Sequence, residues 1–139
     1  MNEVRKAIRT ALATDSTLLA LLGSGANSIL APGEVKKTTV KPFIIIDYNG
    51  SLGSSYMATQ RWSILCYIDP AVSNFGTTGL VLKKAKDVLH KETISVANTS
   101  GVQCAECEWF MDLPSEYDPL WNLYREGHRY RIHVIDLSS

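Results

Sequence analysis

No stretch of this sequence approaches the roughly 20 consecutive apolar residues that a membrane-spanning helix needs, so no membrane partner is expected. The first apolar run, Leu18 to Leu22, is shorter than the core of an export signal and is preceded by Asp15, so no targeting segment is read. A surplus of one charge is also missing. Fourteen basic and fourteen acidic residues cancel, which argues against a protein that lives mainly on nucleic acid, where a basic excess would meet phosphate. Cysteine is scarce: three residues, an odd number, in a chain that reads as intracellular, point to free thiols. No G-x-S-x-G elbow occurs, which leaves serine hydrolase chemistry without support. Gly23-Ser24-Gly25 follows a helical segment and has no Gly-Lys-Ser/Thr after it, so it is not a phosphate loop. Internal repeats and low-complexity tracts are absent.

What is present describes an ordinary globular chain. At 139 residues it is expected to be a single α+β domain spanning residues 1–139. A chain of this length buries roughly 68% of the surface its unfolded form exposes, enough for a core. The strongest pattern is Asn74 to Glu92. Val81, Leu82, Ala85, Val88 and Leu89 fall on one stripe at helical spacing, while Lys83, Lys84, Lys86, Asp87 and Lys91 fall largely off it. Gly76 and Gly79 loosen its start, where Thr77 or Thr78 is a candidate N-cap. Strand-like segments flank this helix, and a helix apolar on one side must bury that side against a sheet. The expectation is an α+β fold: a mainly antiparallel sheet of about four to five strands, packed by one long helix over 74–92, with helices at the N-terminus.

Asn2 to Thr14 reads as a helix with Val4, Ile8 and Ala11/Leu12 on its stripe. Arg5, Lys6 and Arg9 are either a solvated basic face or a contact for an acidic partner surface. Asp15-Ser16 is a new N-cap for a short helix over Thr17 to Leu22, with Gly23 or Gly25 as the terminating glycine. Ile29 to Pro32 is a short extended piece, and Gly33 to Lys41 is a polar linker. Phe43 to Tyr48 is apolar on both faces, the mark of a strand covered on both sides. The second cover is either another subunit or a layer from the same chain. Asn49 to Thr59 carries Leu52, Tyr56 and Met57 among glycines and serines, and is either an arm that orders on a partner or an idle loop.

Gln60 to Asp69 alternates, with Trp62, Ile64, Cys66 and Ile68 on one face. Val102 to Asp112 is the next strand. Leu113 to Tyr124 is a connection holding Pro114 and Pro119 together with Tyr117, Leu120, Trp121, Leu123 and Tyr124, whose aromatics are a local plug or anchors for a partner. Gly127 to Leu137 is the last strand, with Tyr130, Ile132 and Val134 inward. Glu106 and Glu108 are candidates to face Arg129 and Arg131, a pairing worth only about 0.2–1 kcal/mol and useful mainly for register.

Chemistry is sparse. Cys104 and Cys107 form a C-x-x-C, but on a strand residues three apart point to opposite faces and cannot share a metal, so no metal or cofactor is expected. His90, His128 and His133 lie apart along the sequence, and His90 suits a helix C-terminus. Gly76-Thr77-Thr78-Gly79 has the form of the GXXG loop of KH domains, which clamps a nucleic-acid backbone, but the segment before it is too short for the preceding helix. No catalytic constellation emerges, and no enzyme activity is expected.

One resemblance covers most of the chain. An N-terminal helix is followed by A-T-D-S-T-L-L-A-L-L-G (Ala13 to Gly23), a polar stretch, and Pro42-Phe43-Ile44-Ile45-Ile46-Asp47-Tyr48, then a strand, a long helix and two closing strands. This order resembles the tail terminator, or tail completion, proteins of long-tailed bacteriophages. The resemblance implies a structural virion subunit, made in the host cytoplasm, that forms a hexameric ring. Such a ring caps the tail tube and joins it to neck or head-completion proteins, and DNA passes through it without sequence-specific binding. It implies no catalytic, cofactor or metal residues. Contacts in a closed ring are heterologous, one patch meeting a different patch on the neighbour. The expected interface residues are Phe43, Ile45, Tyr48, Leu52, Tyr56, Met57, Tyr117, Leu120, Trp121 and Tyr124. A KH-like nucleic-acid-binding module and a small ligand-binding or enzymatic α+β domain are the alternatives.

Overall fold

A computed structural model of the chain describes residues 2–53, 57–69, 75–95 and 102–136. Among these residues three α-helices and six strands follow in order, with one 3-10 turn (Gly25–Ser28) between α2 and β1: α1 (Asn2–Ala13), α2 (Ser16–Leu21), β1 (Ile29–Leu30), β2 (Phe43–Gly53), β3 (Met57–Ile68), α3 (Phe75–Leu89), β4 (Thr93–Ser95), β5 (Val102–Asp118) and β6 (Leu123–Asp136). The strands form one sheet in the order β1-β2-β3-β6-β5-β4. Every neighbouring pair is antiparallel except β1 with β2. The α+β expectation holds, with two corrections. The sheet has six strands, because the two-residue β1 and three-residue β4 close its edges. The helical layer is shared by three helices, and α3 is shorter than expected.

All three helices lie on one face of the sheet, and their apolar stripes explain why. Val4, Ile8 and Leu12 of α1, Leu18 of α2, and Val81, Leu82, Ala85 and Leu89 of α3 pack with Ile44, Ile46, Trp62, Ile64, Cys66, Tyr130 and Ile132 of the sheet. Trp62 is fully buried, donates its indole N–H to Gln60 Oε1 at 2.8 Å, and carries the Arg5 guanidinium 5.3 Å from its ring centroid. Asp15 caps α2 as expected: its Oδ1 accepts the amides of Thr17 and Leu18 at 2.9 and 3.1 Å. Gly23 does not end α2 by a left-handed turn. It is glycine because a Cβ there would stand 2.7 Å from the Lys41 carbonyl oxygen and 2.5 Å from Val40 Cγ1.

Helix α3 stops at Leu89, ahead of the expected Glu92, because the next residues already bond the sheet. Lys91 N donates to Cys107 O, and Cys107 N donates to Glu92 O. At its other end, Gly76 to Gly79 lie inside the first turns of the helix and not in a loop before it. Thr78 is buried and donates to Glu126 Oε1 of β6 at 2.6 Å, so it is a helix-to-sheet tie and not an N-cap.

Two long hairpins replace two expected loops. The segment after Tyr48 continues as strand: β2 pairs with β3 through Gly53↔Ala58. Asn49-Gly50 marks a bulge between Tyr48 and Ser51, with Gly50 at φ +112. Likewise, Leu113 to Tyr124 is the end of a hairpin. β5 runs to Asp118 and β6 begins at Leu123, with a register shift between Leu113 and Glu116 that admits Pro114. Strand β2 is second from the edge, and its second apolar face is covered from within the chain. Phe43 and Ile45 sit there with Leu65, Tyr67 and Leu123, overlaid by Leu30, Val35, Leu113 and Trp121.

Candidate functional site

The β5–β6 hairpin tip is built by local chemistry. Asp118 Oδ1 accepts the Leu120 amide at 3.0 Å, turning the chain. Asn122 takes φ +57, a conformation that asparagine tolerates better than most residues. The Tyr117 hydroxyl donates to the Asn122 side-chain oxygen. Tyr117 and Tyr124, paired across the hairpin, meet edge to face with centroids 5.0 Å apart. This turn holds Leu120 out in solvent at 79% exposure, with Tyr117 at 46%. Behind it lies a cavity of about 260 Å³ with Phe43, Leu120 and Trp121 in its walls and Lys36, Lys37 and Lys41 among its lining.

The structure therefore sorts the expected interface residues. Tyr117, Leu120, Trp121 and Tyr124 come together at one tip. Phe43 and Ile45 are buried in the chain itself, Phe43 stacked on Tyr67 at 5.0 Å, so they support the tip and present no surface of their own. Tyr48 leans on Trp62 at 5.2 Å on the helix-covered face and is a core neighbour. Leu52 and Met57 lie in paired strands, but their side chains, and Tyr56 altogether, lie outside the described residues.

Beyond the apolar cluster around Phe43 and Tyr67, the sheet face opposite the helices is polar. Register places Glu108 across from Arg131 and Glu106 across from His133, while a bulge at Phe110 sets Met111 opposite Arg129. Only one of the two anticipated charge pairings is thus formed by register. Arg61 and Arg131 are cross-strand neighbours, and the Arg131 guanidinium lies 4.6 Å from the Phe110 centroid. Nearer the tip, Arg125 joins Glu116 Oε2 at 2.6 Å and donates to the Tyr67 hydroxyl at 3.3 Å, and the bond to Glu116 raises its pKa.

No side-chain set among the described residues is organised for bond-making chemistry. Cys66 and Cys107 are free and buried, and burial pushes both thiols up to about 12, which leaves them protonated and inert. The side chain of Cys104 lies outside the described residues. No group of three or more metal-ligating side chains occurs among the described residues. Burial lowers the His128 pKa, against the opposing pull of Asp112, 3.0 Å from its Nε2. His90 Nδ1 accepts the Trp109 amide at 3.0 Å, so it links the end of α3 to β5. No helix among the described residues is long and apolar enough to cross a membrane.

Comparison of the sequence with protein-family models and with curated proteins finds no match. Comparison of the fold does. The chain is similar to one in the virion of a native gene transfer agent particle, with a TM-score of 0.69 over 96% of each chain. The two sequences are 13% identical over that span, so the likeness is one of fold.

Proposed function

We propose that this chain is a structural component of a phage-like virion, a ring-forming tail terminator that caps the tail tube and joins it to the neck or head-completion proteins. The observation that carries the reading is the extent of the fold likeness. It runs over 96% of both chains, and the neighbour belongs to a virion. The surfaces agree with it. A buried scaffold presents an exposed aromatic-aliphatic tip, and large exposed side chains held by a rigid turn are typical anchors for a protein partner. In this reading the tip, with Leu120 and Tyr117 foremost, docks on the tail tube or neck protein, and the hexamer is the working form. The protein is non-enzymatic.

The KH-like alternative loses its basis, since Gly76 to Gly79 form helix and present no loop between two helices. No observation favours a ligand-binding enzyme. The experiment is antibody labelling of the particles encoded with this chain, viewed in negative stain. Label at the head-proximal end of the tail supports the proposal. Particles that carry no label, from cells in which the chain is abundant, contradict it.

A further inference from the structure

We propose that the cavity behind the β5–β6 tip seats an acidic segment of a partner protein, which buries an apolar side chain against Phe43 and Trp121 and meets Lys36, Lys37 and Lys41 with its carboxylates. The inference rests on the reading of the tip as a docking surface and names the chemistry of what docks there.

The recess is built before any partner arrives. Its volume is about 260 Å³, with Val35, Phe43 and Trp121 among its apolar lining. Phe43 is fully buried and stacked on Tyr67, and Trp121 packs on the same cluster, so the apolar wall is fixed from within. The lysines come from the connection between β1 and β2, where a closed turn places the first two. Lys36 N donates to Thr39 Oγ1 at 2.9 Å, and Thr39 N donates to Lys36 O at 3.0 Å. Lys36 and Lys37 are exposed and Lys41 is half-buried.

The carboxylates at this end of the molecule already have partners. Glu34 Oε1 accepts the Ala31 amide at 2.7 Å, Asp118 Oδ1 accepts the Leu120 amide at 3.0 Å, and Glu116 pairs with Arg125 at 2.6 Å. The three lysines differ. Among the described residues none of them forms an ion pair, and no carboxylate lines the cavity. Three ammonium groups around one apolar recess repel one another, and an incoming carboxylate relieves that repulsion.

The occupant is protein because both halves of the surface must be used. A phosphate chain would meet the lysines, but Leu120, 79% exposed at the apex, is aliphatic and gives bases no ring to stack on. An apolar anchor in a pocket with a charged rim is the usual anatomy of a protein contact. The competing explanation is that the lysines only solvate the rim of the recess. In that case reversing their charge would leave attachment untouched.

The test uses the full chain as wild type, Lys36→Glu/Lys37→Glu, Lys36→Arg/Lys37→Arg and Leu120→Ser. Melting temperatures establish that each is folded, and Lys36→Gln/Lys37→Gln replaces the reversal if that variant is not. Co-sedimentation with tail tubes, and separately with tailless heads, of the particles encoded with this chain gives the affinity at low and high salt. Wild type is expected to bind one of the two, less tightly as salt screens the lysines. The reversal is expected to lose about tenfold or more, and the arginine pair to keep most of the affinity. A peptide of alternating glutamate and leucine is expected to compete, and a short DNA duplex is not. Attachment that Leu120→Ser weakens and the reversal leaves unchanged overturns the acidic partner and leaves the tip as the docking surface. Stronger competition by the duplex makes the occupant nucleic acid. A reversal that changes the mass of the assembly in light scattering, and not attachment, makes it a second copy. Either result overturns the inference. A wild type that binds neither tubes nor heads overturns the reading of the tip as well.

Discussion

Thr78 of α3 and Glu126 of β6 meet in a 2.6 Å hydrogen bond, although 48 residues separate them, and Thr78 is fully buried. This bond locks the start of the long helix onto the middle of the sheet. Removing the hydroxyl at constant shape, Thr78→Val, takes away a partner that the Glu126 carboxylate has in the native state. A loss of about 1–3 kcal/mol is expected, measured by urea unfolding. Thr78→Ser should retain most of the stability.

Gly127 lies between Leu65 of β3 and Leu113 of β5, and both lean over it. A Cβ there would stand 2.6 Å from Leu65 Cδ2 and 2.9 Å from the Ile64 carbonyl oxygen. Replacing glycine within an element normally gains about 0.5–1 kcal/mol in chain entropy. Overpacking against backbone costs about 1–3 kcal/mol, so Gly127→Ala is expected to be destabilising. A Gly127→Ala chain that melts higher than wild type would show that the strands separate more easily than this packing implies.

The hairpin tip separates binding from folding. Leu120 is exposed, so Leu120→Ser should change stability by no more than about 0.5 kcal/mol while weakening attachment to the tail or neck partner. Trp121 packs on the small cluster around Phe43, and Trp121→Ala should cost stability, about 1–3 kcal/mol. Melting curves and co-sedimentation with tail tubes distinguish the two.

Cys66 and Cys107 hold their thiols at about 12, well above the ordinary 9.0, mainly through burial. A raised thiol pKa favours folding below the unfolded value and loses that contribution as pH rises through the folded one. Stability should therefore fall between about pH 9 and 12. In a Cys104→Ser background, a thiol reagent should find no rapidly reacting group at neutral pH until the chain is unfolded.

Much of the fold was legible because its periods are clean. Val4, Ile8 and Leu12, and Val81, Leu82, Ala85 and Leu89 of the second stripe, are buried as the 3.6-residue repeat requires, with Val88 partly buried beside them. The alternation of Trp62, Ile64 and Cys66, and of Tyr130 and Ile132, marks the helix-covered face of the two central strands. The misreadings fall where a local signal carries two meanings. Asn49-Gly50 can make a turn or a bulge, and only the pairing with Arg61's neighbours decides. Pro114 breaks a central strand but is tolerated at a bulge on an outer one. Gly76 and Gly79 weaken a helix start, yet Thr78 finds its partner on β6, a contact that no local window contains. Phe43 and Ile45 signalled a covered face correctly, but the sequence could not say that the cover was Val35 and Trp121 of the same chain.

The most direct test of the account is the mass of the purified chain by light scattering across a concentration series, with class averages of the same fractions in negative stain. A structural ring protein gives closed rings of about six subunits, alone or on tail tubes, built by head-to-tail contacts. A chain that remains a monomer at every concentration, and leaves tail tubes undecorated, contradicts it.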